Sequence, residues 1–289
     1  MQLKQRALVP VILGMVGLAV YAFHHLMWTS GAEAWHGAFL AAAALPTYMA
    51  LFLAKGGAAR TSSLLVPVQI VTGIGVFLAA TETGALIAAL LSFAGLQWFV
   101  FVYSRYGRTK SDAIIIGKPL PEVAFEDLDG ARVTSDDFLG AATLLVFFRG
   151  NWCPLCMAQL RELRARADQL ANANVQVRFI SNQSAEKSMA LATKLDLPLH
   201  FQILRDRNML AADRLGIADI GGAPVGLKGY PKDTVMATVI ALDARGQVLF
   251  GDETDNYRVR PHPDLYLPLL EQAGDAPEVT GTSQIAGAA

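Results

Sequence analysis

The sequence predicts an α-helical membrane bundle of four spans followed by an α/β domain. Three observations lead there. Of the 289 residues 53% are hydrophobic and only 17% charged, too apolar for an ordinary soluble enzyme. The apolar residues crowd into four long runs ahead of residue 104, whereas short β-rich runs alternate with charged amphipathic stretches from Ser111 onward. Charge divides at the same place: seven Lys/Arg and two Asp/Glu precede Ser111, so a front part of +5 joins a remainder of −6 within a net charge of −1. Neither part carries the basic stripe that a phosphate backbone requires, which excludes nucleic acid as a partner, and the composition excludes disorder for most of the chain.

The four runs cover residues 7–28, 37–54, 64–80 and 84–103. Each is about 17 to 22 residues, enough at about 1.5 Å per residue to cross a hydrocarbon core of about 30 Å. Lys4 and Arg6 precede the first run, Lys55 and Arg60 follow the second, and Arg105, Arg108 and Lys110 follow the fourth; Glu33 and Glu82 occupy the two opposite loops. With every basic residue on one side, the positive-inside rule places the amino terminus and everything after Lys110 in the cytoplasm. A cleaved signal peptide ending at Ala32-Glu33-Ala34 is the lesser reading, because the first run is long for a signal core and three more runs follow. Pro10, Pro46 and Pro67 are tolerable within membrane helices, and Trp28, Trp35 and Tyr103 fall near the expected interfaces. His24, His25 and His36 form a titratable cluster, but adjacent histidines on a helix do not face one ion, so a ligand role is disfavoured. Gln69 and Gln97 read as interhelical hydrogen-bonding groups, and the lack of intramembrane charge argues against a transporter.

Behind Ser111, Pro119 and Pro121 mark the entry to the second part, and 124–128 reads as a short strand ending at the turn Asp129-Gly130. The apolar run 143–148 reads as a central strand. Residues 156–173 read as a helix with Leu160, Leu163, Ala167 and Leu170 on one face. A second central strand follows over 175–180, then helices over 185–195 and 209–215, a third strand over 235–242, a hairpin turn at 243–246 into 247–251, and a closing helix over 263–272. Strand, helix, strand, hairpin and last helix is the order of a thioredoxin-like layer. The predicted boundaries are 1–110 for the membrane region, 111–274 for the redox domain and 275–289 for a flexible tail.

Cys153 and Cys156 are the two cysteines of the chain, too few for a disulfide scaffold. They stand where a strand turns into a helix. Cys153 falls at the helix amino terminus, where unpaired N–H groups and the helix dipole favour a thiolate, and Pro154 starts the helix without wasting a donor. Cys156 lies one turn on, in reach for a disulfide. Such a pair relieves a thiolate that has attacked a disulfide or a peroxide by closing on it. A zinc site would need two further ligands, and His200 and His262 are isolated. A merely structural pair is disfavoured by its position, and in a reducing cytoplasm a dithiol cycles.

The stretch Phe147-Phe148-Arg149-Gly150-Asn151-Trp152-Cys153-Pro154-Leu155-Cys156 resembles the active-site segment of thioredoxin-like redoxins, especially the peroxiredoxin-like proteins of the alkyl hydroperoxide reductase and thiol-specific antioxidant group. The resemblance extends over residues 115–273, through Pro121-Glu122-Val123-Ala124-Phe125, Asp129-Gly130, Asp137-Phe138-Leu139-Gly140, Leu242-Asp243, Gly246 and Asn256-Tyr257-Arg258. It implies two assignments. As in a thioredoxin, Cys153 attacks and Cys156 resolves; aligned without gaps on a peroxiredoxin, Cys156 takes the peroxide-attacking position, Cys153 stands at that family's Thr or Ser, and Arg149 replaces its proline. Cys153 is favoured. Before the third strand, where thioredoxins keep a cis-proline and peroxiredoxins an activating arginine, this chain has Ala237, with Pro231 or Arg149 as substitutes.

Trp152 is expected to cover the thiols and Arg149 to lower a thiol pKa, each with a plain structural role as the alternative. Asp206, Asp213 and Asp219 read as helix caps and solvated faces, and the glycines from Gly221 to Gly229 as a mobile surface segment rather than a phosphate loop. The expected activity is that of a membrane-anchored dithiol oxidoreductase. The alternatives are a thiol-dependent hydroperoxide reductase and a non-enzymatic redox-sensing module. The implied partners are a thiol reductant or protein disulfide, a hydroperoxide and the lipid bilayer; no cofactor is implied.

Overall fold

The first apolar run folds as α1 (Gln2–Trp28), in a computed structural model that describes residues 2–29, 33–224 and 226–274. The predicted tail at 275–289 and Ala32 of the weighed cleavage site lie outside the described residues. Next come α2 (Glu33–Ala54), α3 (Val66–Ala79) and α4 (Thr83–Trp98), the last extended by a wider turn over Phe99–Tyr103. Three helical stretches are long and apolar enough to cross a membrane: Arg6–Trp28, Glu33–Ala54 and Thr83–Tyr103, with mean hydropathies of 2.0, 1.7 and 2.1. Of the four expected spans, the third is shorter than the other three. With 14 residues, α3 reaches only about 21 Å at about 1.5 Å per residue. It starts late because Leu65 adopts a left-handed conformation (φ 50°) just before Pro67 in the first turn. It nevertheless packs closely: a Cβ on Gly37 would lie 2.5 Å from backbone atoms of Gly75 and Ala79, so α2 and α3 cross where side chains are absent. Gln69 and Gln97 exchange hydrogen bonds of 2.7 and 3.3 Å between α3 and α4, as the sequence suggested. His25 stacks on Trp35 with ring centroids 4.2 Å apart, and His36 bonds the Glu33 carbonyl.

The second part contains β1 (Ala124–Glu126), β2 (Arg132–Thr134), β3 (Thr143–Phe147), α5 (Pro154–Arg164), α6 (Ala167–Asn172), β4 (Gln176–Ser181), α7 (Ala185–Leu195), β5 (Phe201–Arg205), α8 (Leu210–Arg214), β6 (Ala218–Asp219), β7 (Thr234–Val235), β8 (Thr238–Leu242), β9 (Val248–Asp252) and α9 (Leu267–Gly274). The main sheet runs β2-β1-β5-β4-β3-β8-β9, parallel across β5, β4 and β3 and antiparallel at β8 and β9. Every residue of β3 is buried because both faces are covered. Leu144 and Val146 join the core beneath α5, α6, α7 and α9, whereas Leu145 and Phe147 join Phe125, Phe138 and Leu215 on the other side with α8. This is a thioredoxin-like layer with the central strand feeding directly into the dithiol turn.

Several sequence-based boundaries shift. The helix expected over 156–173 breaks at Ala165 and Arg166, where Arg166 leaves helical geometry and reaches Asp264 at 2.9 Å. The strand expected over 235–242 is interrupted, because Met236 N–H bonds the Ile217 carbonyl and Ala237 N–H bonds the Tyr106 hydroxyl. The closing helix is preceded by a short tight turn over Pro263–Leu265. Strands β2 and β5 were not expected; β5 fills the sheet between β1 and β4.

The two parts meet along a continuous seam. Tyr106 N–H bonds the Asp255 carbonyl (2.7 Å), Tyr257 N–H the Ser104 carbonyl (3.0 Å), and Arg105 pairs with Asn256 in a one-residue antiparallel bridge. Arg108 and Glu253 form an ion pair of 3.0 Å with side chains 2% and 7% exposed. Arg258 donates to Ser104 Oγ, Thr61 Oγ1 and the carbonyls of Ser62 and Ser63, over distances of 2.6 to 3.2 Å.

Candidate active site

The turn between β3 and α5 builds the site. Gly150 adopts φ +134°, and a Cβ there would fall 2.8 Å from the Trp152 indole nitrogen, so glycine lets the chain reverse beneath that ring. Cys153 is the helix cap: its Sγ accepts the Cys156 N–H at 3.4 Å, and Pro154 occupies the first turn, as predicted. Both cysteines are unbridged, with exposures of 2% and 0%. Trp152 is half-buried against the same core.

Two guanidinium groups lie beside the thiols. Arg149 is buried, paired with Asp219 at 3.4 Å and hydrogen-bonded to the Gly222 carbonyl, with the rings of Trp152, Tyr257 and Tyr106 at 4.9, 5.7 and 5.9 Å. It therefore does not point to solvent. Asp219 is correspondingly buried and ion-paired, which corrects its reading as a solvated face; Asp206 does cap a helix, accepting from Ala211 and Ala212. The second group was missed. Arg260 Nη2 lies 3.9 Å from Cys156 Sγ, while its Nε and Nη1 are buried without a partner among the described residues. The Arg260 guanidinium also interacts with the buried Tyr106 hydroxyl. Ala237, at the place where an arginine was sought, offers its backbone to Tyr106, and Pro231 lines a cavity of about 740 Å³ with Arg6, Leu227, Tyr230 and Lys232.

These neighbours split the two thiols. Burial opposes ionisation of Cys156, but hydrogen bonding from Cys153, the charge of Arg260, the Arg149 backbone N–H and the charge of Arg149 outweigh it and lower the pKa to about 6. Burial pushes Cys153 up, reinforced by its bond to Cys156 and by the negative charge there. The neighbours thus favour ionisation of Cys156 over Cys153, and the nearer guanidinium, Arg260, lies on the Cys156 side. Burial also raises the Tyr106 phenol, keeping that neighbour neutral. Among the described residues no group of three or more His, Cys, Asp or Glu side chains could hold a metal; His200 bonds the Ala167 carbonyl and His262 pairs with Asp264.

The thioredoxin-like layer carries both cysteines at the turn from its central strand into the next helix. The family model for the AhpC/TSA family matches residues 116–249, so the second part of the chain is similar to that family. Peroxiredoxin Bcp of Escherichia coli K12 is 28% identical over 156 residues, covering 54% of this chain and 95% of that protein. Among solved structures, a thiol peroxidase from Chromobacterium violaceum superposes with a TM-score of 0.47 at 19% identity, over 57% of this chain and 90% of its own. Peroxidoxin BcpB from Mycobacterium tuberculosis gives 0.45 at 19% identity, over 57% and 98%.

Proposed function

We propose that the protein is a membrane-anchored, thiol-dependent hydroperoxide reductase in which Cys156 is the attacking thiolate and Cys153 the resolving thiol. The observation that carries this reading is the environment of Cys156: Arg260 Nη2 lies 3.9 Å from its sulfur, and the charges of Arg260 and Arg149 favour its ionised form. Cys156 S⁻ attacks the near oxygen of ROOH, the O–O bond breaks, and the alkoxide leaves as ROH with one proton. Cys153 then displaces water from the Cys156 sulfenic acid and closes the disulfide. Arg260 stabilises negative charge on the departing oxygen. The match to the AhpC/TSA family model over residues 116–249 and the similarity to a peroxiredoxin support the substrate class. The reversal from Cys153 to Cys156 follows from side chains that sequence spacing does not bring together.

The placement is a cytoplasmic redox domain held under the bundle. Arg60, Arg105 and Arg108, from the positively charged end of the bundle, pair with Glu162, Asp255 and Glu253 of the redox domain, so both features lie at one end.

The test uses the full chain in detergent, reduced and mixed with one equivalent of hydrogen peroxide. Loss of two hydrogens, far faster than for free cysteine, is expected; Cys153→Ser accumulates a sulfenic acid on Cys156, and Cys156→Ser does not react. A peroxide response no faster than free cysteine overturns the reading. A second reading, thiol–disulfide exchange led by Cys153, is favoured by the Cys156 N–H bond to Cys153 Sγ, and would show as rapid exchange with a protein disulfide.

A further inference from the structure

The membrane unit packs against the helix that carries the dithiol. The segment 55–63 joins α2 to α3 and lies along α5, immediately beside the dithiol. Gly57 sits against Pro154, the residue following Cys153: with φ +77°, a Cβ there would fall 3.1 to 3.3 Å from the proline's carbonyl and Cβ. The Gly56 carbonyl accepts from Arg161 at 2.6 Å, and Arg60 grips Glu162 through two bonds of 3.1 and 2.6 Å. At its far end the segment is tied down by Arg258 through Thr61, Ser62 and Ser63. Phe52, just ahead of it on α2, packs on the core that contains both sulfurs. The strap is thus pinned to the start and the middle of α5 and tethered at both ends by helices.

We propose that this strap determines the size specificity of the site: with it closed, small hydroperoxides and small thiols reach the cysteines, whereas protein dithiols and protein disulfides do not. In-line attack on a sulfur requires the partner sulfur to approach along the S–S axis. A protein brings its own backbone to that approach, and the ground it would occupy at the start of α5 is held by Gly56 and Gly57. The recycling reductant is therefore a low-molecular-weight thiol. Two equivalents of RSH reduce the Cys153–Cys156 disulfide to two thiols and leave as RSSR. Gly57 is a specificity-determining residue, because a side chain there would crowd Pro154 and strain a backbone held at φ +77°, and the Arg60–Glu162 pair is the latch. The reductant class rests on the peroxidase reading; the closure itself does not.

The test compares labelling of the cysteines in the reduced full chain by N-ethylmaleimide and by maleimide on a long polyethylene glycol. Wild type is expected to react with the small reagent and, relative to free cysteine, to exclude the polymer by about tenfold or more, since the polymer waits on local opening. Gly57→Leu and Arg60→Glu lift the strap and erase that contrast. The exchanged pair Arg60→Glu with Glu162→Arg restores it, which separates unlatching from misfolding. Equal relative labelling by both reagents in wild type, equal exclusion of both, or a contrast unchanged in Gly57→Leu and Arg60→Glu overturns the proposal. Labelling involves no peroxide, so an enzyme that keeps the contrast yet consumes no peroxide refutes the peroxidase reading and leaves the strap standing.

Discussion

At the residue scale, Arg260 and Cys156 lie side by side, 3.9 Å apart. Since the thiolate is the reactive form, the rate of oxidation by peroxide is expected to rise with pH through about 6 and level off above it. Arg260→Met removes a positive charge that favours the ionised sulfur, so the midpoint moves up and the plateau falls by about 10- to 100-fold; stopped-flow tryptophan fluorescence reads both. An unchanged midpoint would mean that Arg260 is a bystander. Asp252 gives a separate pH signature. Burial raises its pKa to about 6 against the opposing charges of Arg260 and Arg108, and its Oδ2 has no partner among the described residues. A raised folded-state pKa favours the fold below the ordinary carboxylate range, near pH 4, and that contribution is lost as pH rises through 6. Asp252→Asn is therefore expected to stabilise the protein by about 1 to 2 kcal/mol at pH 7.5 and to be neutral near pH 4, read as a shift in melting temperature. Much of the site was legible at this scale: the dithiol, its helix-start position, Pro154 and the proximity of Arg149 all follow from one ten-residue stretch. Arg260 was not, because it lies 104 residues from Cys156 and only the packing of the segment after β9 brings it there. The resemblance over Asn256-Tyr257-Arg258 stopped two residues short of it.

At the element scale, the segment leaving α4 is a structural joint. Arg108→Ala leaves Glu253 charged and buried, with a Ser111 N–H as its remaining bond, and is expected to cost about 3 to 5 kcal/mol. Arg105→Ala removes a half-exposed pair and is expected to cost less than about 1 kcal/mol. Thermal unfolding of the two variants in the same detergent checks the ranking; equal losses would mean that the seam is not held by the buried pair. Elements with strong periodic signals, such as β3, β4, α7 and the β8–β9 hairpin, were readable because local pattern and burial agree. The short ones were not. β2 and β6 take their identity from partners rather than from their own two or three residues, and β5 from its place between two other strands. The late start of α3 depends on one left-handed leucine, which hydropathy does not register.

At the scale of the whole molecule, the uneven charge acquires a second meaning. The basic residues at the ends of the apolar helices also dock the second domain, with Arg60, Arg105 and Arg108 pairing with Glu162, Asp255 and Glu253. Alkaline phosphatase fused after Lys110 is expected to be inactive, and a fusion after Thr29 active; the opposite pattern would overturn the cytoplasmic placement. A protein held at a membrane by a generic greasy tail tolerates exchange of that tail for another. This one is built otherwise. Grafting its redox half onto a foreign helix hairpin would strand Glu253 without Arg108, Arg258 without the Ser62 and Ser63 carbonyls, and the helix that carries the dithiol without the segment packed on it. Neither half is a portable module, and chimaeras that splice the chain between residues 104 and 111 are expected to fail where most domain fusions succeed.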